Sequence, residues 1–554
     1  MKFSRWAPAS VLALKNYSLS TFAHDLSAGV TVGLVALPLA MAFAIASGLT
    51  PQAGIYCAIV TGFLISALGG SRYQIGGPTG AFVVVVAGIV AEFGVAGLYM
   101  VTMMAGVILL ILGATGMGAA VKYLPRPVVI GFTNGIAVLI ASTQIRDFFG
   151  ISMAEVPSEF AQRMAALVQH AGTISPAATV LAIVSLATII VLRKVAPRVP
   201  GTIIALLGGT VAAVAFGLDI DTIGSRFGGI PGGLPDPTFP KFEAGLIPSL
   251  LRPALTVAAL GAIESLMSAV VSDRMGNDRH NPNVELIGQG VANIASPIFG
   301  GLPATGAIAR TATNIRAGAR TPIAGMIHAV TLLVVLLAAA PLASYIPMAV
   351  LAAILFVVAY NMGEWHEIPQ LLKMTKTDIS VWLVTFALTV SADLTVAVEV
   401  GMILAAFLYI RRVSATTTVS MVTSDYIESS RAHSLQDKNI PSYVAIFRVH
   451  GPLLFGVTDK VAVIADSVDR LPPIVIVRLR NMTALDATGL KALEEVADRV
   501  QASGRTILFC GAREQPAAVM RQAEFHRHVG EGNICVNILV ALERAAELHK
   551  AQAA

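Results

Sequence analysis

The chain has 554 residues, of which 55% are hydrophobic and only 13% charged, against roughly a quarter charged in a soluble globular domain. Its mean hydropathy is +0.74, which excludes an ordinary soluble protein and places the chain in a membrane. The formal net charge of +5 comes with no basic stripe interleaved with aromatics, so it fits membrane orientation and gives no nucleic-acid partner.

Residues 1–25 carry Lys2, Arg5 and Lys15 without a short apolar core and small-residue cleavage site, so the sequence predicts a cytoplasmic N-terminus and no cleaved signal. From 26 to 412 apolar runs recur, for example 96–118, 177–192, 199–217, 321–340 and 394–410. About fourteen are candidates to cross a bilayer, several of them short or broken. Arg411 and Arg412 follow the last run, and an even number of spans keeps both ends on the cytoplasmic face of the inner membrane. Lipid is therefore a partner of this part by construction.

Residues 413–440 are polar and aperiodic and read as a linker. Residues 441–554 alternate strand and helix patterns: YVAIFRVHG from 443, PPIVIVRLRNM over 472–482 and RTILFCG are strands, and TDKVAVIADSVDRL and TGLKALEEVADRVQAS are helices. This predicts a small cytoplasmic α/β domain. Cys57, Cys510 and Cys535 form no metal-ligand or CxxC spacing and read as reduced, structural residues, and no cofactor is implied.

Two stretches of the membrane part repeat one another. QIGGPTGA (74–81) and GGLPATGA (300–307) each set a glycine pair, a proline and Thr-Gly at the start of a short apolar segment. Interrupted segments in corresponding places of two halves predict an inverted repeat with a binding site at the repeat interface. Irregular backbone at membrane depth is tolerated where it is buried or lines a cavity. The helices starting after Pro78 and Pro303 would each offer free N–H groups and about half a positive charge to an anion.

Arg310 lies about two turns beyond the second break and adds a full charge, unless it snorkels to the interface as Arg316 and Arg320 are placed to do. Thr79 and Thr305 either line the site or cap their helices. Glu264 stands in the uncharged run RPALTVAALGAIESLMSAVVSDRM, with Ser268 one turn later on the same face. An intramembrane carboxylate is costly and marks function: Glu264 would hold sodium, carry a proton or pair with Arg310. Asp393 and Glu399, near a helix junction, are weaker candidates, and Asp278 and His280 sit in a hydrophilic loop. No nucleophile–base pair or phosphate loop suggests an enzyme.

VGLVALPLAMAFAIASGLTPQAGIY (32–56), the GGPTG break, the block NVELIGQGVANIASPIFGGLPATGAIARTATNIRAGART (283–321) and LDATGL (485–490) resemble the SulP anion transporters, the sulfate permease relatives of mammalian anion exchangers and prestin. The resemblance implies a helical polytopic fold of two inverted seven-helix repeats, divided into core and gate, followed by a STAS domain, and a homodimer. It places the substrate, a small inorganic or organic anion, between Gly77, Pro78, Thr79 and Gly80 on one side and Thr305, Gly306, Ala307, Ile308 and Arg310 on the other. The first helix closes the pocket with Pro38, Ala42 and Phe43, and Glu264 falls where members keep an acidic residue near the site; the expectation from the residues themselves is that Glu264, with Ser268 on its face, serves coupling. Sodium-coupled bicarbonate members carry aspartate for Glu264 and threonine for Ile308, so this chain looks closer to proton-coupled members that accept dicarboxylates such as fumarate. Ala487 replaces the usual phosphoacceptor serine, which removes a phosphoswitch. The competing expectations are a sodium-coupled bicarbonate or sulfate carrier, an uncoupled anion channel, and a membrane-anchored STAS scaffold or sensor.

Overall fold

The computed structural model describes residues 6–15, 17–118, 125–153, 156–157, 159–196, 199–392, 394–422 and 440–553. Two compact units emerge, Met1–Met402 and Ile403–Ala554. In the first, a short α1 (Ala9–Leu14) precedes α2 (Leu19–Ala46), α3 (Pro51–Leu68), α4 (Gly80–Ala114), α5 (Arg126–Phe149), α6 (Phe160–Gln169), α7 (Pro176–Val195), α8 (Gly201–Ala215) and α9 (Ile223–Phe227). Then come α10 (Ile247–Gly276), α11 (Pro282–Ala295), α12 (Ile308–Arg316), α13 (Ile323–Ala343), α14 (Met348–Met362), α15 (Ile368–Leu371), α16 (Lys376–Ser391) and α17 (Leu394–Thr416).

Eight spans among the described residues are long and apolar enough to cross a membrane. The count rises because α4 is two helices joined at Gly94, whose φ of 68° breaks the helix. With α4 divided there, α2, α3, both parts of α4, α5, α7 and α8 match α10 to α14, α16 and α17 in order, seven helices on each side of the α9 connection. Packing follows the same exchange: α13 lies on α2 and α3 as the second part of α4 lies on α10 and α11, and α16 packs on α5 as α14 packs on α7. The fold is therefore a polytopic helical membrane protein built as an inverted repeat.

Sequence explains the local joins. Asn281 caps α11 by accepting from the N–H groups of Asn283 and Val284, with Pro282 at its first position. Pro51 and Pro176 likewise open α3 and α7. Where α4 crosses α11, Gly106 and Gly290 face each other's backbone: a Cβ built on either would lie 2.7 Å from the other's carbonyl oxygen. Lipid supplies no hydrophobic drive between helices, so such small-residue contacts carry their association.

The second unit is a five-stranded sheet in the order β3 (Thr418–Met421), β4 (Val444–Leu453), β5 (Ile474–Leu485), β6 (Thr506–Cys510), β7 (Ile534–Cys535), parallel except for β3. Its helices are α18 (Thr458–Asp466), α19 (Ala487–Ala502), α20 (Glu514–Gln522), α21 (His526–Val529) and α22 (Ile538–Ala553). Successive residues of the central strands serve opposite layers. Val475, Val477 and Phe509 join the core with Leu493 and Phe525, and Ile474, Ile476 and Leu508 join the one with Ile538 and Ala541. Burial on both faces explains the continuous apolar run of β5. Of the stretch read as a linker, Thr418–Met421 is ordered as the antiparallel edge strand, paired with Phe447–His450. Its period-2 apolar positions, Val419 and Met421, were masked by the surrounding threonines.

Candidate functional site

The two glycine–proline breaks meet. Gly76–Gly77 forms β1 and Thr305–Gly306 forms β2, antiparallel, with Gly76 opposite Gly306 and Gly77 opposite Thr305. The amide of Ala307 extends the ladder to the Ile75 carbonyl at 2.8 Å. Immediately after these two-residue strands the chain turns into α4 at Gly80 and α12 at Ile308. Neither helix start is capped by a side chain, so both offer unfilled N–H groups to the space between them.

Arg310 is 3% exposed, which overturns the snorkelling alternative; Arg316 and Arg320 are exposed. The guanidinium crosses from α12 to the other break, where Nη2 donates to the Pro78 carbonyl and Nη1 lies against Gly77. That Nη1 and the buried Thr79 Oγ1 have no hydrogen-bond partner among the described residues. Thr79 therefore does not cap α4, despite standing at its N-cap position. Thr305 also caps nothing: its hydroxyl donates to the Gly261 carbonyl of α10 at 2.9 Å. Pro38, Ala42 and Phe43 are buried in α2. The Phe43 ring, Ile140 and Met362 surround Gly80, where an added Cβ would meet all three. Gly306 and Ala307 are buried in the ladder and Ile308 is half-buried at the start of α12.

Glu264 is half-buried on α10 and makes no ion pair with Arg310, so that expectation is corrected: Arg310 donates instead to the Pro78 carbonyl. Burial is the first cost of a charge on Glu264, and the like charge of Glu364, in the turn after α14, adds to it. Ser268 does not join Glu264. Its hydroxyl lies 3.3 Å from Thr311 Oγ1, which accepts from the Ile75 amide. Asp393 lies outside the described residues, and Glu399 pairs with Arg252 at 3.1 Å on an exposed surface. Asp278 pairs with Arg72, and His280 with Asp273.

Several supporting groups escaped the sequence reading. Glu285 of α11 is fully buried; Oε2 accepts from the amides of Gly70 and Ser71 at 2.9 and 3.0 Å. Its Oε1 accepts from Gln74 and Gln289, both at 3.0 Å. Asn293 fixes the approach to β2 through both backbone groups of Ala304, and Asn314 holds the Tyr73 carbonyl at 3.0 Å. Asp25 of α2 is also fully buried and accepts from the amides of Arg320 and Thr321 at 2.7 and 3.1 Å. Tyr17, just before α2, donates to Asp25 at 3.2 Å; burial and the Asp25 charge push its phenol up to about 12. Polar residues at near-helical spacing within NVELIGQGVANIA were the available signal: Glu285, Gln289 and Asn293 stand four apart on one face.

Cys57 is buried and free, and its thiol donates to the Leu302 carbonyl at 3.1 Å. In the second unit Asp486 caps α19, accepting from Gly489 at 2.7 Å and from Phe455 at 3.0 Å. Ala487 follows it as the first helical residue.

Two uncapped helix starts, an uncommitted guanidinium N–H and a threonine hydroxyl, all buried, flank the β1–β2 ladder. This set favours an anion small enough to sit between opposed backbones. Comparison with known proteins agrees. The sulfate permease family model matches residues 22–385 and the STAS domain model residues 434–538. YvdB of Bacillus subtilis, whose assignment as a sulfate transporter is provisional, is 41% identical over 93% of this chain and 96% of its own. The bicarbonate transporter BicA of Synechocystis is 32% identical over 92% of each chain. The solved transmembrane domain of a cyanobacterial BicA aligns at 33% identity and a TM-score of 0.61, covering 70% of this chain and 98% of that one. The murine Solute Carrier 26 family member A9 shares the fold at a TM-score of 0.86 and 17% identity, over 99% of this chain and 95% of that one. The chain belongs to the sulfate permease family of anion transporters, with a C-terminal STAS domain, and its members are carriers of ions and not enzymes.

Proposed function

We propose that the protein is a secondary active anion transporter that moves a small anion or a fumarate-like dicarboxylate with a proton by alternating access. The observation that supports the anion site is the β1–β2 ladder, which sets the starts of α4 and α12 beside the uncommitted Nη1 of Arg310. Gly77, Pro78, Thr79 and Gly80 form one wall of this site. Thr305, Gly306, Ala307, Ile308 and Arg310 form the other, and Pro38, Ala42 and Phe43 form its cover.

Coupling is assigned to Glu264. An ionised carboxylate held half-buried without a partner is costly in a membrane, and a neighbouring Glu364 makes simultaneous ionisation of both costlier still. An arriving anion adds to that repulsion, so a proton and the anion bind together. Ile308 brings no oxygen to this place, which supports a proton over sodium, and Ser268 serves indirectly, by donating to Thr311 of α12. The protein works as a homodimer in the inner membrane, with lipid around its helices and both termini and the STAS domain in the cytoplasm.

A second reading has its own support: the 32% likeness to a bicarbonate transporter over nearly the whole chain favours bicarbonate as substrate with sodium as the coupling ion. One experiment separates the two. Purified protein in proteoliposomes is offered labelled sulfate, bicarbonate and fumarate, with an inward proton gradient or an inward sodium gradient. Proton-driven uptake in the wild type that loses its gradient dependence in Glu264→Gln, with anion exchange retained, supports the assignment. Uptake indifferent to pH and raised by sodium sinks it.

A further inference from the structure

The polarity of α1 is inverted. Ser10 is buried and its hydroxyl donates to the Ala67 carbonyl at 2.5 Å, while the Ala9 amide donates to the Gly69 carbonyl at 2.9 Å. Both acceptors belong to the C-terminal end of α3, so α1 is held beside that end, just ahead of the first turn of α2. Val11, Leu12 and Leu14 are 51%, 44% and 59% exposed, and Trp6, shortly before them, 49%. The apolar surface continues onto the start of α2 through Leu19 and Phe22, also exposed. A helix of this length has little stability of its own. One seated on a protein core would turn its leucines in and its serine out; here the order is reversed.

Cations rim this surface. Tyr17, at the join of α1 and α2, and the amide of Arg320, after α12, meet on the same carboxylate, Asp25, which brings the α12–α13 loop against the start of α2. His24 is 2.8 Å from the Ser20 carbonyl through Nδ1, so Nδ1 donates there and Nε2 accepts from Arg320 Nη2 at 3.1 Å. Lys15, Arg316 and Arg320 are exposed, and none of them is paired with a carboxylate among the described residues.

Acids to offset them are few. Asp25 is the one carboxylate in residues 1–79, and residues 308–347 contain none. Asp25 is itself buried and taken up by the amides of Arg320 and Thr321. The adjoining end of α10 and its loop bring Asp273 and Asp278, but with Arg274 and Arg279, and Asp278 is held by Arg72. Even with the buried Glu285 included, this end of the membrane unit keeps a positive surplus.

Exposed apolar side chains with a basic rim are the pattern of a segment lying in the plane of an anionic membrane surface, where tryptophan sits at headgroup level and lysine and arginine meet phosphates. Continuity favours the same occupant, because the face runs directly into the membrane span α2. A second copy docked by this face about a twofold axis would set the same cations opposite one another.

We propose that Trp6–Lys15, together with the Arg316–Arg320 turn, is an interfacial anchor that selects anionic phospholipid headgroups, with Trp6, Val11, Leu12 and Leu14 at the acyl boundary. Spanning helices contact any lipid; this face chooses among headgroups. Nothing in it depends on the central anion site or on coupling.

The test uses the full chain in bilayers of equal parts phosphatidylglycerol and phosphatidylcholine, with bromine on the acyl chains of one lipid or of the other. Trp6 is one of three tryptophans, and Trp365→Phe with Trp382→Phe leaves it as the reporter; if that background folds poorly, the difference between wild type and Trp6→Phe gives the same signal. Both brominated lipids should quench Trp6, and phosphatidylglycerol should be enriched around it about 5-fold over the bulk ratio, the preference that one basic residue near an anionic surface gives. Raising ionic strength from about 0.02 M to about 0.3 M should erode that enrichment. Lys15→Gln, Arg316→Gln and Arg320→Gln combined should bring it close to one, with total quenching kept. Trp6 unquenched by either lipid would overturn the proposal and put protein, a second copy included, over the face. Equal quenching by the two lipids in the wild type would overturn it as well, and so would an enrichment that survives the triple substitution.

Discussion

Glu285 offers a sharp division between structural and functional roles for an intramembrane carboxylate. It has no exposure and its two oxygens accept from four groups at 2.9–3.0 Å: the amides of Gly70 and Ser71 and the side chains of Gln74 and Gln289. Glu285→Ala strands the two backbone donors at the entrance to β1. A buried donor left unpaired costs about 1–3 kcal/mol, so the pair costs about 2–6 kcal/mol before any cavity is counted. Glu285→Gln keeps an oxygen for the amides and replaces the other with a donor, and a turned Gln289 amide can accept from it; the expected cost is about 1–2 kcal/mol. Thermal unfolding of detergent-purified protein checks both: the alanine variant should melt several degrees lower and the glutamine variant only slightly lower. Transport by the glutamine variant, scaled to folded protein, should keep the wild-type KM and the wild-type response to a proton gradient. The reasoning is refuted by an alanine variant as stable as wild type. It is equally refuted by a glutamine variant that melts normally and has lost coupling, because the charge and not the hydrogen bonds would then be what Glu285 supplies.

Arg310→Ala should raise KM for the anion on the order of tenfold or more, equivalent to at least about 1.4 kcal/mol of binding, while the purified protein still inserts and unfolds cooperatively. Gly77→Ala should be more damaging than a methyl group suggests, because Gly77 has φ 148° and its new Cβ would lie 2.6 Å from Arg310 Nη1; loss of anion-induced thermal stabilisation is the readout. Cys510, in the STAS core, has its thiol pushed up to about 12 by burial from an ordinary value near 9. Maleimide labelling at pH 8 should therefore fail on the native domain and succeed after denaturation. The same shift favours the neutral thiol in the fold, so this contribution to stability is complete below about pH 9 and is lost as pH rises toward 12. Mass spectrometry of protein purified from growing cells should find no phosphate on residues 485–490, where Asp486 caps α19 and Ala487 has no hydroxyl.

What could be read from the chain in advance was whatever depends on composition and spacing. The repeated glycine–proline break identified the two half-helices because a short apolar segment preceded by such a sequence has few other uses in a membrane. The alternation in YVAIFRVHG and the unbroken run in PPIVIVRL predicted β4 and β5 because period and burial are local properties. Partners across the fold were not legible. Glu264 and Arg310 stand close in sequence pattern, yet Arg310 extends to Pro78, 232 positions away, and leaves Glu264 without it. Glu285 stands inside the 283–321 block, where its spacing with Gln289 and Asn293 marks a polar helix face, but that spacing does not say which distant amides the carboxylate will accept from. Thr79 occupies an N-cap position by sequence, but its hydroxyl makes no cap bond to the helix it precedes.

The two buried carboxylates have a consequence for how the protein is made. Asp25 belongs to the first half and closes the Arg320–Thr321 loop of the second; Glu285 belongs to the second and closes the Gly70–Ser71 loop of the first. During synthesis, Asp25 is in the bilayer region long before its amide partners leave the ribosome, and Gly70 and Ser71 wait in turn for Glu285. The nascent first half therefore carries Gly70 and Ser71 without their acceptor, and Asp25 with Tyr17 but without its two amide donors, until the second half is made. Synthesis of α11 supplies Glu285, and synthesis of the Arg320–Thr321 turn supplies the amides for Asp25. A first half made alone lacks the carboxylate that Gly70 and Ser71 donate to, and a second half made alone lacks the one that Arg320 and Thr321 donate to.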